Sequence, residues 1–181
     1  MKRLRVLLGL VTWVCLPLSA AWAGPICMDR SCLAAESLAH IKESKRIRQL
    51  LMDGQYGEVE KSFAALQQQY ELGRVDAGEV DFRYGLFDSA RLEQGVLKWV
   101  ERYPASYAAN TAAGAFFLQR GLDARGGKVM SETSAMQVGA MDAYFKTARG
   151  YLDKALSKAR KPVAARTAWT SSGVTSEFLN F

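Results

Sequence analysis

The sequence predicts an all-α protein, a stack of antiparallel helical hairpins with one overlong hairpin near the C-terminus. Three observations carry that expectation. Apolar residues recur at helical spacing along most of the chain, Val59, Phe63, Leu66 and Tyr70 forming the cleanest stripe. Helix-start signals stand where the stripes begin, as at Asp76 with Glu79 and at Ser134 with Gln137. Breaks at Gly54, Asp88 and Gly121 fall 34 and 33 positions apart.

The first element is a leader. Lys2, Arg3 and Arg5 precede an apolar run from Val6 to Leu18, and Ala21-Trp22-Ala23 follows, the pattern of a secretory signal peptide over residues 1–23. The run is short of the roughly 20 residues a membrane span needs. The expected product is periplasmic or secreted, without a stable membrane span. The full chain carries +6; losing three leader cations and no acid leaves about +3, too little to argue for nucleic acid. Lys158-Ala159-Arg160-Lys161 is a dense basic run, and its place at a helix end suits the helix dipole.

Residues 24–36 form an N-terminal segment in which Cys27 and Cys32 stand four residues apart. In an oxidising compartment such a pair most simply closes a disulfide, worth about 2 kcal/mol for so small a loop. The rival reading adds His40 to make a metal site, but it lacks a fourth ligand at any familiar spacing. No metal or cofactor is expected.

From Leu33 to Gly54 a helix is expected, with Leu38, Ile41, Lys45, Ile47, Leu50 and Leu51 tracing its apolar face. The Val59–Tyr70 stripe supplies the second helix of a hairpin. Gly73 and Gly78 mark a loop, and Asp76 opens a further helix near Ala77. Asp88-Ser89 breaks the chain again before a helix through Leu92, Val96, Trp99 and Val100 that ends at Pro104.

The break spacing is close to the period of about 34 residues of tetratricopeptide repeats. With Gly121 set as the turn glycine of the last unit, Gly114 takes the glycine position of its first helix, and Ala148, Leu152, Ala155 and Leu156 take the second helix. The interval from Gly121 to Ala148 is then about twenty residues too long for such a repeat. Ala124-Arg125-Gly126-Gly127 reads as a helix C-terminus, and Ser134-Ala135-Met136-Gln137 as a capping box. The extra length therefore extends both helices into an overlong hairpin. The helical-repeat domain is expected over residues 37–169, with an irregular tail over 170–181.

Trp99-x-x-x-Tyr103-Pro104-x-Ser106-Tyr107-x-Ala109, then Gly114, Arg125-Gly126-Gly127, Ser131-Glu132-Thr133 and Met141, resembles the bacterial domain-of-unknown-function family 4034. The resemblance runs from about Leu50 to Pro162. It implies a tetratricopeptide-like fold and carries no assigned activity.

The aromatic cluster of Trp99, Tyr103, Tyr107, Phe116 and Phe117 reads as repeat core. Asn110 falls where such modules line their concave groove, and Tyr107 stands one turn before it. Arg125 and Glu132 bracket the hairpin loop, either as an ion pair that pins it or as partner contacts. Glu79 and Asp81 are two apart on a helix and face different ways, which makes a poor acid–base pair. The phosphate-loop, nucleophile-elbow and zinc-protease strings are missing. The expectation is a protein- or peptide-binding module of the cell envelope without catalytic activity, with Arg125, Glu132, Asn110 and Tyr107 as candidate contacts. The alternative is an inhibitor or immunity-type protein that neutralises a toxin or hydrolase.

Overall fold

The structure, a computed structural model, describes residues 30–127 and 132–177, with side chains over 37–127 and 132–171. The expected leader and the expected Cys27–Cys32 pairing lie outside these residues. Among them the chain is all-helical: α1 (Arg30–Met52), α2 (Tyr56–Glu71), α3 (Ala77–Tyr84), α4 (Glu93–Arg102), α5 (Tyr107–Arg125), α6 (Ala135–Leu156) and α7 (Val163–Glu177). Two short 3-10 turns, Gly85–Asp88 and Ala90–Leu92, join α3 to α4 at the expected break.

Local chemistry sets the boundaries. At Gly54, φ is +73°, a conformation costly for a side chain, and the chain reverses there between α1 and α2. Asp76 caps α3 by accepting from the Glu79 amide at 2.8 Å. Ser134 caps α6 as a complete box: its hydroxyl accepts from the Gln137 amide, and the Gln137 side chain accepts from the Ser134 amide.

The central element is α5. Its first eight residues, Tyr107 to Gly114, are all buried, as are Phe116, Phe117 and Gly121. Few of its own positions face water because α6 covers it along its length while α4, α7 and the first 3-10 turn close other sides. The approach to α6 depends on missing side chains. A Cβ at Gly114 would stand 2.3 Å from Leu152 Cδ2, and one at Gly121 would stand 2.4 Å from Phe145 Cε1. Gly114 and Gly121 are two turns apart on one face, and so are Phe145 and Leu152, so two large side chains enter two glycine gaps.

This corrects the expectation for Gly121. It is a buried packing position inside α5, where the chain does not turn. The reversal comes at Gly126, whose amide bonds to the Leu122 and Asp123 carbonyls at φ +78°. The irregular tail is corrected too: α7 continues through residues 170–177 to Glu177.

Of the aromatic cluster, Trp99, Tyr107, Phe116 and Phe117 belong to the core, while Tyr103 is half-buried. Trp99 and Phe116 are fully buried, and Phe117 stacks on Tyr151 at 5.7 Å with the rings 3° apart. Glu60 in α2 organises the corner between α4 and α5. It accepts from Trp99 Nε1 at 2.8 Å and from the Ser106 hydroxyl at 2.7 Å. Ser106 in turn caps α5 through the Ala109 amide, and Asn110 Nδ2 donates to the Pro104 and Ser106 carbonyls. The motif around Trp99, Pro104, Ser106 and Asn110 is thus a hydrogen-bonded corner.

Candidate functional site

The sequence-derived candidates are separated by the fold. Asn110 is fully buried and spent on the corner just described, so it has no surface to line a groove. Tyr107 is buried at 8% exposure, and its hydroxyl accepts from the Ala165 amide at 3.4 Å, which ties α5 to α7. Arg125 and Glu132 form no ion pair among the described residues. The hairpin end is tied instead by Gln137 Nε2, which donates to the Arg125 carbonyl at 3.1 Å. The reason is geometric: the α6 cap already places Gln137 beside the last turn of α5.

What the fold does assemble is a cleft of about 230 Å³ between α3, α5 and α7. α3 contributes Asp81 and Tyr84, one turn apart, and the following 3-10 turn contributes Phe87 and Asp88. From α5 come Thr111, Ala115, Leu118 and Leu122, at the i, i+4, i+7, i+11 spacing of one helix face. The α7 wall is Ala164, Thr167, Ala168 and Ser171, a face of small side chains that leaves space where leucines would have filled it. The Tyr107–Ala165 contact fixes that wall at one end. Asp88 and Ser171 are exposed at the rim.

Two hydroxyls in this lining are out of balance with their surroundings. Tyr84 is 4% exposed and Thr111 is fully buried, yet neither hydroxyl oxygen has a hydrogen-bond partner. Thr111 stands beside the Tyr84 and Tyr107 hydroxyls, but neither approach reaches hydrogen-bond geometry. A buried hydroxyl without a partner costs about 1–3 kcal/mol, and both oxygens are closed off from solvent behind the cleft wall. Burial holds the Tyr84 phenol well above its ordinary pKa, with the nearby Tyr107 and Glu60 adding to the effect, so it remains a neutral donor and acceptor.

Asp81 is the cleft's second unusual group. Burial pushes its carboxyl pKa upward, and the Thr167 hydroxyl offsets this in part. It has no ion pair among the described residues, whereas Asp88 accepts from Arg48 Nη2 at 2.9 Å. Arg120 also binds the Asp88 carbonyl, which fixes the 3-10 turn against α5.

A wider groove of about 1310 Å³ lies between α1 and α3. Within it His40 lies 3.7 Å from Glu79 and edge-on to the Phe82 ring at 5.0 Å. Among the described residues there is no cluster of three or more His, Cys, Asp or Glu side chains that could hold a metal. No described helix is long and apolar enough to cross a membrane.

Sequence reasoning missed Asp81, Tyr84, Thr111 and Thr167 as a set because three separate helices supply them. Two signals were present: a threonine in the apolar face of α5, and the Ala164/Thr167/Ala168/Ser171 stripe of small residues. Comparison of the chain with protein-family models, curated proteins and solved structures finds no match.

Proposed function

We propose that the protein is an exported helical module that binds, without transforming, a group presented by a protein or peptide partner in the cell envelope, and that the α3–α5–α7 cleft is where that group sits. One observation carries this reading: α3, α5 and α7 leave between them an apolar-walled cleft in which the partly buried Asp81 carboxylate faces Thr167 and meets no cation among the described residues. The apolar walls and the few convergent polar groups are the usual composition of a binding site. Export rests on the leader pattern in residues 1–23, and a tetratricopeptide-like relationship rests on the motif string from Trp99 to Met141.

Site-specific photocrosslinking tests the reading. A benzophenone amino acid at Ala168, in the cleft wall, should yield a discrete adduct in the producing cell. The same residue at Met136, which is 82% exposed on α6, should not. The Ala168 adduct should also disappear in an Ala115→Trp background that fills the cleft. Adducts of equal yield at both positions, or none at Ala168, would refute it.

A further inference from the structure

We propose that the groove between α1 and α3 receives an amphipathic helix of a partner protein, with the partner's apolar stripe on Ile41, Val75 and Phe82 and its carboxylates against Lys45 and Arg74. The groove shares no lining residue with the α3–α5–α7 cleft, so the proposal is independent of that site.

The apolar surface comes first. α1 is 23 residues long, yet its buried side chains among the described ones are Ile47 and Leu51, both in its C-terminal third. From Ser37 to Arg46 none is buried, although Leu38 and Ile41 stand one turn apart as exposed apolar side chains. α3 turns Phe82 towards the same groove, 54% exposed. That ring is held in place: His40 meets it edge-on at 5.0 Å and itself lies 3.7 Å from Glu79. A ring ordered before the partner arrives costs little entropy on binding. Exposed apolar side chains gathered along a groove of about 1310 Å³ mark an interaction surface with room for several side chains at once.

The charges select the partner. Asp76 is spent on the α3 cap, Glu79 is paired with Arg83 at 2.8 Å, and Arg48 with Asp88 at 2.9 Å. Lys45 and Arg74 remain, both exposed and neither in an ion pair among the described residues. They stand on the two walls, Lys45 on α1 and Arg74 just ahead of α3. Carboxylates flanking an incoming apolar stripe would complete both cations, whereas ammonium groups there would be repelled. A helix suits the walls. The described residues include no strand to which an extended peptide could add, and a helix arrives with its backbone hydrogen bonds already made.

The test uses the protein labelled with nitrogen-15, titrated with three synthetic peptides of about 16 residues, between four and five helical turns. The first carries leucines at i, i+4, i+7 and i+11 with glutamates on both flanks. The second has lysine in place of each glutamate, and the third is the first with its order scrambled. The glutamate peptide should shift the amides of Ile41, Lys45, Val75 and Phe82 in a saturable way and bind at least about tenfold tighter than the other two. Phe82→Ala, a change at an exposed position, should weaken it at least about tenfold. The double variant Lys45→Glu, Arg74→Glu should reverse the order, so that the lysine peptide binds the tighter. Equal binding of the three peptides, or an order unchanged in the charge-reversed variant, overturns the proposal. So does the absence of any shift at the groove. Shifts confined to Thr111, Ala164 and Ala168 would put the peptide in the other cleft and overturn the groove alone. Shifts of the groove amides with protein concentration, in the absence of peptide, would give the surface to a second copy of the chain and overturn the partner helix.

Discussion

Gly121→Ala should destabilise the protein, although the same change inside an open helix is stabilising. Alanine is favoured over glycine by about 1 kcal/mol in a helix interior. Against that stands the packing of α5 on α6. The new methyl would lie 2.4 Å from Phe145 Cε1 and 2.5 Å from Cδ1, with the Met141 carbonyl oxygen at 3.2 Å closing the other direction. Carbon atoms in contact sit about 3.5–4.0 Å apart, so the overlap exceeds about 1 Å. Phe145 is 2% exposed, so its ring cannot swing out into solvent and the α5–α6 packing must give. Overpacking of that kind costs about 1–3 kcal/mol, and an overlap this large belongs in the upper part of that range. The expected net loss is about 1–2 kcal/mol, a fall in Tm of roughly 2–8 °C for a domain of this size. Gly139→Ala and Gly150→Ala serve as controls. Both lie inside α6 with nothing near the added methyl, and each should raise stability by about 0.5–1 kcal/mol. Phe145→Leu removes Cε1, so the double variant with Gly121→Ala should be more stable than the two single losses summed, by about 0.5 kcal/mol or more. Circular dichroism during thermal and urea unfolding reads all of these. A Gly121→Ala protein stabilised to the level of the Gly139→Ala control, or strict additivity with Phe145→Leu, would refute the packing argument.

Two further outcomes concern stability. Burial raises the folded-state pKa of Asp81 above its unfolded value, so its contribution to stability is fully present below the unfolded value and is lost as pH rises through the folded one. Asp81→Asn should accordingly be more stable than the parent at pH 7, with the difference shrinking as pH falls below the ordinary carboxylate range; a variant less stable at pH 7 would contradict it. Glu60→Ala removes the acceptor for Trp99 Nε1 and for the Ser106 hydroxyl at once and should cost about 2 kcal/mol or more in urea unfolding, far beyond a surface change such as Glu58→Ala. Equal losses for the two variants would show that the corner contributes nothing.

How much was legible in the sequence follows from the range of each interaction. Helix starts and stops were legible where a residue acts on its own neighbours: Asp76 on the Glu79 amide, Ser134 on Gln137, and Gly54 through its own φ. The aromatic core was legible because its spacing matches one helix face. Gly121 was misread because a glycine has two uses, reversing the chain or admitting a neighbour, and nothing within a few residues separates them. Phe145 decides the matter from 24 positions away. The tail beyond Thr170 was misread because its run of small polar residues has weak helix propensity, and the start of α7 is held from outside, by Tyr107. Asn110 was misassigned for a related reason, since its amide faces Pro104 only once α4 and α5 meet at the Glu60 corner.

The sequence by itself determined the all-helical class, most of the helix boundaries and the long hairpin of α5 and α6, because each of these is fixed by contacts within about one turn of helix. The tertiary structure decided which residues face each other across helices. It turned Gly114 and Gly121 into gaps for Leu152 and Phe145, spent Asn110 and Tyr107 on the interior, and gathered Asp81, Tyr84, Thr111 and Thr167 around one cleft. Those groups are distant along the chain, and packing three helices together is what brings them near and takes the Tyr84 and Thr111 hydroxyls out of water.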